Sequence, residues 1–141
     1  MIAAGNVRMT AVAPQIDGAP PFSEFAAGLA AEQLLLQRCT ICATVQLGHI
    51  RCDFCLARTL TWIPSAGSGA IHAFAIMHRA YHPAFADRIP YAVGIVELDD
   101  GPRIVAAFEI ERARLRAGLR VRIAWDRAGA GRPVCFVEDA Q

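Results

Sequence analysis

Lysine is absent: all fourteen cationic side chains among the 141 residues are arginine. With twenty-seven alanines beside them, this bias reads as high G+C coding rather than as a surface built for phosphate. The net charge of +1 leaves no strong field to draw in nucleic acid. Charge of either sign is scarce, at 19% of residues against a usual ~25%. No run approaches the ~18 consecutive apolar residues of a membrane helix. The opening MIAAGNVRMTAVAP has no charged start followed by a sustained apolar stretch, so no signal peptide is expected. The expected setting is the reducing cytoplasm, with no membrane partner. Also missing are the G-x-S-x-G, H-E-x-x-H and P-loop motifs and any paired carboxylates. Asp99 and Asp100 stand where turn chemistry alone would put them. No nucleophile is presented with its base, and a self-sufficient enzyme is not expected.

Apolar residues are what the chain has in excess, at 55%, which excludes disorder. The length suits one domain, or a domain with a small appendage. So many apolar side chains exceed what such a domain buries, which calls for a partner or self-association.

Residues 1–21 are rich in Ala, Gly and Pro and read as a loose leader. Residues 22–38 are expected to hold a helix to about Gln33, with Ser23 as N-cap and Phe25 and Leu29 on one face, and then a short strand or extended segment. Residues 39–63 are cysteine-punctuated and too irregular for a helix. From Pro64 to Gln141 the pattern becomes strand-like, at 70–79, 91–98, 103–109, 119–125 and 133–138. Asp99-Asp100-Gly101 is a hairpin signal, Arg112–Ala117 a helical turn closed by Gly118, and Gly129-Ala130-Gly131 a break. Five short strands with a helical insert before the fourth predict a mainly β chain ending in an oligonucleotide/oligosaccharide-binding (OB) barrel.

Cys39-Thr40-Ile41-Cys42 and Cys52-Asp53-Phe54-Cys55 are the strongest local signal. Each C-x2-C pair can bend its backbone round one ion, and two of them make a closed tetrahedral site. Four soft thiolates in a reducing compartment favour Zn²⁺, with iron as competitor. Arg38, Arg51 and Arg58 flank the ligands and can offset the net −2 of zinc with four thiolates. Disulfides would need an oxidising compartment, and a redox C-x2-C pair a βαβ context that is missing. Four protein ligands leave no open position, so the metal is expected to be structural and no catalytic residue is assigned. Cys135, in Val134-Cys135-Phe136-Val137, reads as core. His49, between the knuckles, faces a ligand set already filled, and His72 reads as an ordinary strand residue. His78, Arg79, Tyr81, His82 and Phe85 crowd the loop after the first barrel strand. His78, Arg79, Tyr81, Phe85, Arg88 and Tyr91 are the candidate contacts for a ligand or a partner, although an ordinary interface loop has the same composition.

The order of these features resembles the DUF35 family of acyl-CoA-associated proteins. Leu36-Gln37-Arg38-Cys39-Thr40-Ile41-Cys42 is similar to the family's lead-in to the ribbon, and Trp62 through Ile71 to its turn into the barrel. Pro90-Tyr91 through Val96-Glu97-Leu98-Asp99-Asp100-Gly101 resembles its second and third strands, and Leu115-Arg116-Ala117-Gly118-Leu119-Arg120-Val121 its next strand. The likeness spans residues 22–138. Ala43 and Leu56 follow the knuckles where the family often has Gly, and Ile50-Arg51 replaces a frequent Pro-Arg. The resemblance implies an N-terminal helix, a rubredoxin-like zinc ribbon and an OB barrel. It also implies a non-catalytic or co-catalytic subunit bound to a thiolase-fold or other acyl-CoA enzyme (thiolase, acyltransferase, steroid side-chain retro-aldolase or hydratase). Such a subunit would bridge chains in a hetero-oligomer of lipid metabolism and help shape the site for a coenzyme A thioester.

A second class of function is single-stranded nucleic-acid binding, which OB barrels and zinc ribbons both perform. Arg112, Arg114, Arg116, Arg120 and Arg122 cluster, but Trp125 is the only aromatic near them. Charge and composition favour the acyl-CoA reading.

Overall fold

The computed structural model describes residues 22–80, 86–125 and 134–140. The expected leader, the Gly129–Gly131 break, Tyr81, His82 and Phe85 lie outside them. The run FSEFAAGLA has no proline and no β-branched residue, and it forms helix α1 (Phe22–Ala30). Phe25 and Leu29, one turn apart, pack on the buried core. The helix therefore begins one residue before Ser23, which lies inside it. The Ser23 hydroxyl is spent on the Glu24 carboxylate at 3.0 Å, not on capping an amide. Glu32 turns the chain at a left-handed φ of 59°, and the helix stops short of the expected Gln33.

Three short strands follow: β1 (Leu35–Cys39), β2 (Val45–Gln46) and β3 (Leu60–Pro64), in the order β2-β1-β3. β1 pairs antiparallel with both neighbours, Gln37 lying opposite Gln46 on one side and Trp62 on the other. This is the ribbon, and its two outer strands were not legible as strands in the sequence.

The barrel runs β4 (Ser68–Met77), β5 (Tyr91–Leu98), β6 (Arg103–Phe108), a 3-10 turn (Arg112–Arg114), β7 (Arg120–Ile123) and β8 (Cys135–Glu138). It closes in the order β4-β5-β6-β8-β7. Each expected barrel strand is present, shorter at some ends. Alternation fills the inside with Ala92, Val96, Leu98, Ile104, Ala106, Phe108, Val121, Ile123 and Phe136. The Asp99–Gly101 turn joins β5 to β6, with the Gly101 amide donating to the Leu98 carbonyl at 2.9 Å. Its φ of +122° is open to glycine at no steric cost. Parallel pairing of β6 with β8 completes the ring. Cys135 is buried in β8, as its apolar setting predicts.

The ribbon is rooted in the barrel. Leu34 and Leu36 belong to the same buried cluster as Val96, Val121 and Phe136. After β3, the Ser65 amide donates to the Leu34 carbonyl at 2.8 Å. The Ser65 hydroxyl donates to the Asp100 carboxylate of the β5–β6 turn and accepts from the Gly67 amide at 3.0 Å.

Candidate functional site

The first knuckle leaves the end of β1, and the second follows the loop after β2. The two close on each other. The Sγ atoms of Cys39, Cys42, Cys52 and Cys55 all lie within 4.8 Å of one another. Cys39 Sγ is 3.5 Å from Cys55 Sγ, and Cys42 Sγ is 3.5 Å from Cys52 Sγ. Four ligands at ~2.3 Å from a tetrahedral ion are about 3.8 Å apart, so the cage has the size of a metal–thiolate site. Backbone amides point at the sulfurs: Ile41 N–H to Cys39 Sγ at 3.3 Å, Phe54 N–H to Cys52 Sγ at 3.3 Å and Cys55 N–H to the same sulfur at 3.4 Å. Such donors favour thiolate over thiol. The residues present fit a soft tetrahedral ion.

The charges agree with that geometry. The Cys42 amide holds Cys39 below the ordinary thiol value, the Thr44 hydroxyl does so for Cys42, and the Cys55 amide for Cys52. At Cys55 the Ala57 amide pulls down, but burial and the three neighbouring sulfurs outweigh it and push the thiol up to about 12. The hydrogen bonds thus favour thiolate at three of the sulfurs, while burial and the neighbouring sulfurs disfavour it at the fourth. Ala43 and Leu56, directly after the knuckles, adopt φ of 66° and 68°. These are the positions where glycine would have been free of strain.

His49 is no part of the cage: its Nδ1 lies 2.8 Å from Asp53 Oδ1. His72 is exposed in β4 beside the register shift between Ile71 and Ala73. His78, Arg79 and Arg88 are all exposed on the chain between β4 and β5, and half-buried Tyr91 opens β5 opposite Met77. Arg114 and Arg120, two of the five arginines of the basic cluster, are committed to carboxylates: Arg114 to Glu138, with a 2.6 Å Nε bond, and Arg120 to Asp99.

Sequence reasoning passed over two sets of residues. Gln37 and Gln46 are the buried polar side chains of the ribbon; nothing local marks them, because their role depends on cross-strand register. Ile41, Ile50, Phe54 and Leu56 are exposed at 71%, 67%, 78% and 63%. An apolar residue in each C-x2-C gap was the available signal.

A four-cysteine ribbon rooted in a closed five-stranded barrel defines a protein of rubredoxin-like ribbon plus OB-fold architecture. The family model for the ChsH2 C-terminal OB-fold domain matches residues 62–126. The solved structure described as the Ltp2-ChsH2(DUF35) aldolase superposes with a TM-score of 0.74 at 26% identity, over 89% of this chain and 98% of that one. A DUF35-family protein of unknown function from Sulfolobus solfataricus shares the fold, with a TM-score of 0.66 at 12% identity over 99% and 98% of the two chains. Among curated proteins, the probable enoyl-CoA hydratase alpha subunit of Thermomonospora curvata is 32% identical over 97 residues. That match covers 66% of this chain and 29% of the relative, so the chain spans under a third of that protein. These likenesses support assigning the chain to the DUF35 family.

Proposed function

We propose that this chain is an accessory subunit of an acyl-CoA-processing complex, carrying a structural zinc ion in the four-cysteine cage and docking on a thiolase-fold or related acyl-CoA enzyme. The carrying observation is the ribbon's outer surface. Four of the large exposed apolar side chains fall within residues 41–56, and the amides of Ile41 and Phe54 both reach sulfurs of the one cage. Large apolar side chains exposed together on one short segment suit an interaction site, and an exposed aromatic tip is a good anchor for one. Bound metal would cross-link the knuckles and hold both tips rigid, which lowers the ordering cost of docking. The relative solved as the Ltp2-ChsH2(DUF35) aldolase and the one named as an enoyl-CoA hydratase subunit support this choice of partner class.

In the same reading, residues 22–38 are a helix and lead-in strand, 39–63 the ribbon and 64–141 the barrel. The barrel end bearing His78, Arg79, Arg88 and Tyr91 meets the coenzyme A thioester, and Tyr81 and Phe85, outside the described residues, stay candidates for the same contact by sequence alone. Arg79 or Arg88 would supply a charge-assisted contact to a coenzyme A phosphate.

Reconstitution tests the proposal. A candidate catalytic chain expressed with this protein should co-elute with it and turn over its acyl-CoA substrate faster than alone. Phe54→Glu should abolish co-elution and leave the barrel folded. A catalytic chain equally soluble and active alone, with no co-elution, overturns the subunit reading.

A further inference from the structure

The arm from β2 to the second knuckle has almost no ladder of its own, because β2 is only two residues long. Two side-chain amides take the ladder's place. Gln37 of β1 and Gln46 of β2 lie opposite each other in register and are buried at 3% and 4% exposure. Gln46 Nε2 donates to Gln37 Oε1 at 3.2 Å, which orients both heads. Gln37 then takes both polar groups of one arm residue: its Nε2 donates to the His49 carbonyl at 3.1 Å, and its Oε1 accepts from the His49 amide at 2.8 Å. Gln46 brackets the next turn of chain, its Nε2 donating to the Arg51 carbonyl at 2.9 Å and its Oε1 accepting from the Asp53 amide at 2.8 Å. Cys52, fully buried, sits between those two held groups.

We propose that Gln37 and Gln46 are the positioning residues of the metal cage: they clamp the backbone on either side of Cys52 and so set the second knuckle at ligating distance from the first. The inference rests on the metal-binding reading of the four cysteines. The chemistry favours glutamine because one primary amide offers a donor and an acceptor on a neutral head. A carboxylate brings no donor, and an aliphatic chain takes the side-chain partner from both the Arg51 carbonyl and the Asp53 amide, which are part-buried. Partners that orient metal ligands without touching the metal typically change affinity by 10–100-fold when lost.

The test uses the full chain stripped of metal and titrated with Co²⁺, whose thiolate charge-transfer and ligand-field bands report affinity and tetrahedral geometry separately. Gln46→Leu should weaken Co²⁺ binding by about 10–100-fold and shift the ligand-field bands. Gln46→Glu keeps the acceptor for Asp53 but loses both donated bonds, and it should fall between Gln46→Leu and the parent. Thr61→Ala removes a ribbon hydrogen bond outside the clamp, from the Thr61 hydroxyl to the Arg38 carbonyl at 3.3 Å, and should match the parent. Near-ultraviolet circular dichroism checks that the barrel is intact in each variant, and Gln46→Glu carries the comparison if Gln46→Leu does not fold. Affinities within twofold of the parent, with unshifted bands, overturn the clamp. Failure of the parent itself to bind Co²⁺ overturns the metal reading instead.

Discussion

Arg120, at the start of β7, closes on Asp99 in the β5–β6 turn with two hydrogen bonds, of 2.9 and 2.6 Å. β4 lies between β5, which leads into that turn, and β7, pairing with one on each side. The pair therefore spans the start of β4 and staples one end of the barrel. Arg114 and Glu138 make a second fork between the 3-10 turn and β8.

The Arg120 guanidinium holds the Asp99 carboxyl below its ordinary value. A depressed carboxyl adds stability above its unfolded pKa, and that stability is lost as pH falls through the folded value. Both side chains are about half exposed, at 51% and 50%, so the contribution is small. Arg120→Ala should lower the urea midpoint slightly at pH 7, and the gap to the parent should close as the pH is taken down past the ordinary carboxylate range. Urea titrations across that range measure it; a gap that widens in acid contradicts the assignment.

Metal uptake must release protons, because Cys55 keeps its proton among the other sulfurs. Affinity should drop about tenfold per pH unit for each proton displaced, so acid strips the site and alkali strengthens it. Elemental analysis of purified protein should find about one zinc or iron per chain, and Cys39→Ser or Cys52→Ser should lose it. A metal-free native chain, or an affinity flat from pH 6 to 8, would count against the cage.

Ala43 and Leu56 occupy left-handed backbone next to the knuckles. That conformation costs an L-residue roughly 1–2 kcal/mol, while glycine returns part of the gain through unfolded-chain entropy. Ala43→Gly and Leu56→Gly should each leave the metal-loaded ribbon unchanged or up to about 1 kcal/mol more stable. Chelator-challenge half-lives and thermal melts measure this; a marked loss at either position contradicts the strain argument.

A Cβ built on Gly94 would land on the Ala73 carbonyl of β4 and lie 2.7 Å from the Phe74 Cα. Both obstacles are backbone, which cannot rotate away. Gly94→Ala should separate β4 from β5 and cost about 1–3 kcal/mol, the range for an overpacked interior. A melt matching the parent's would show that the two strands tolerate a wider approach.

The parts of the fold that were legible are those whose cause is local. β5 is found at the residues of the expected strand-like run, and the Asp99–Gly101 turn where its chemistry places it. The four cysteines were readable because ligand chemistry dictates spacing within each knuckle. Ser23 misled because a capping signal is local, whereas the helix start is decided by how Phe25 and Leu29 reach the core. β2 was invisible at two residues, since side-chain amides from across the sheet do the pairing there. The loop from His78 toward Tyr91 was readable as composition only; where those side chains meet depends on tertiary placement that no short pattern carries.

The seam between ribbon and barrel does not coincide with the cysteines. Leu34 and Leu36 share one buried cluster with the barrel strands, and Ser65 ties the far end of the ribbon back to Leu34 and to the β5–β6 turn. A chimera that exchanges ribbons between relatives by cutting at Cys39 would graft new knuckles onto an old root and keep the barrel sealed. One cut at Leu34 would carry two plugs shaped for another barrel. The first kind of exchange changes the exposed tips of the knuckles; the second changes whether the chain folds at all.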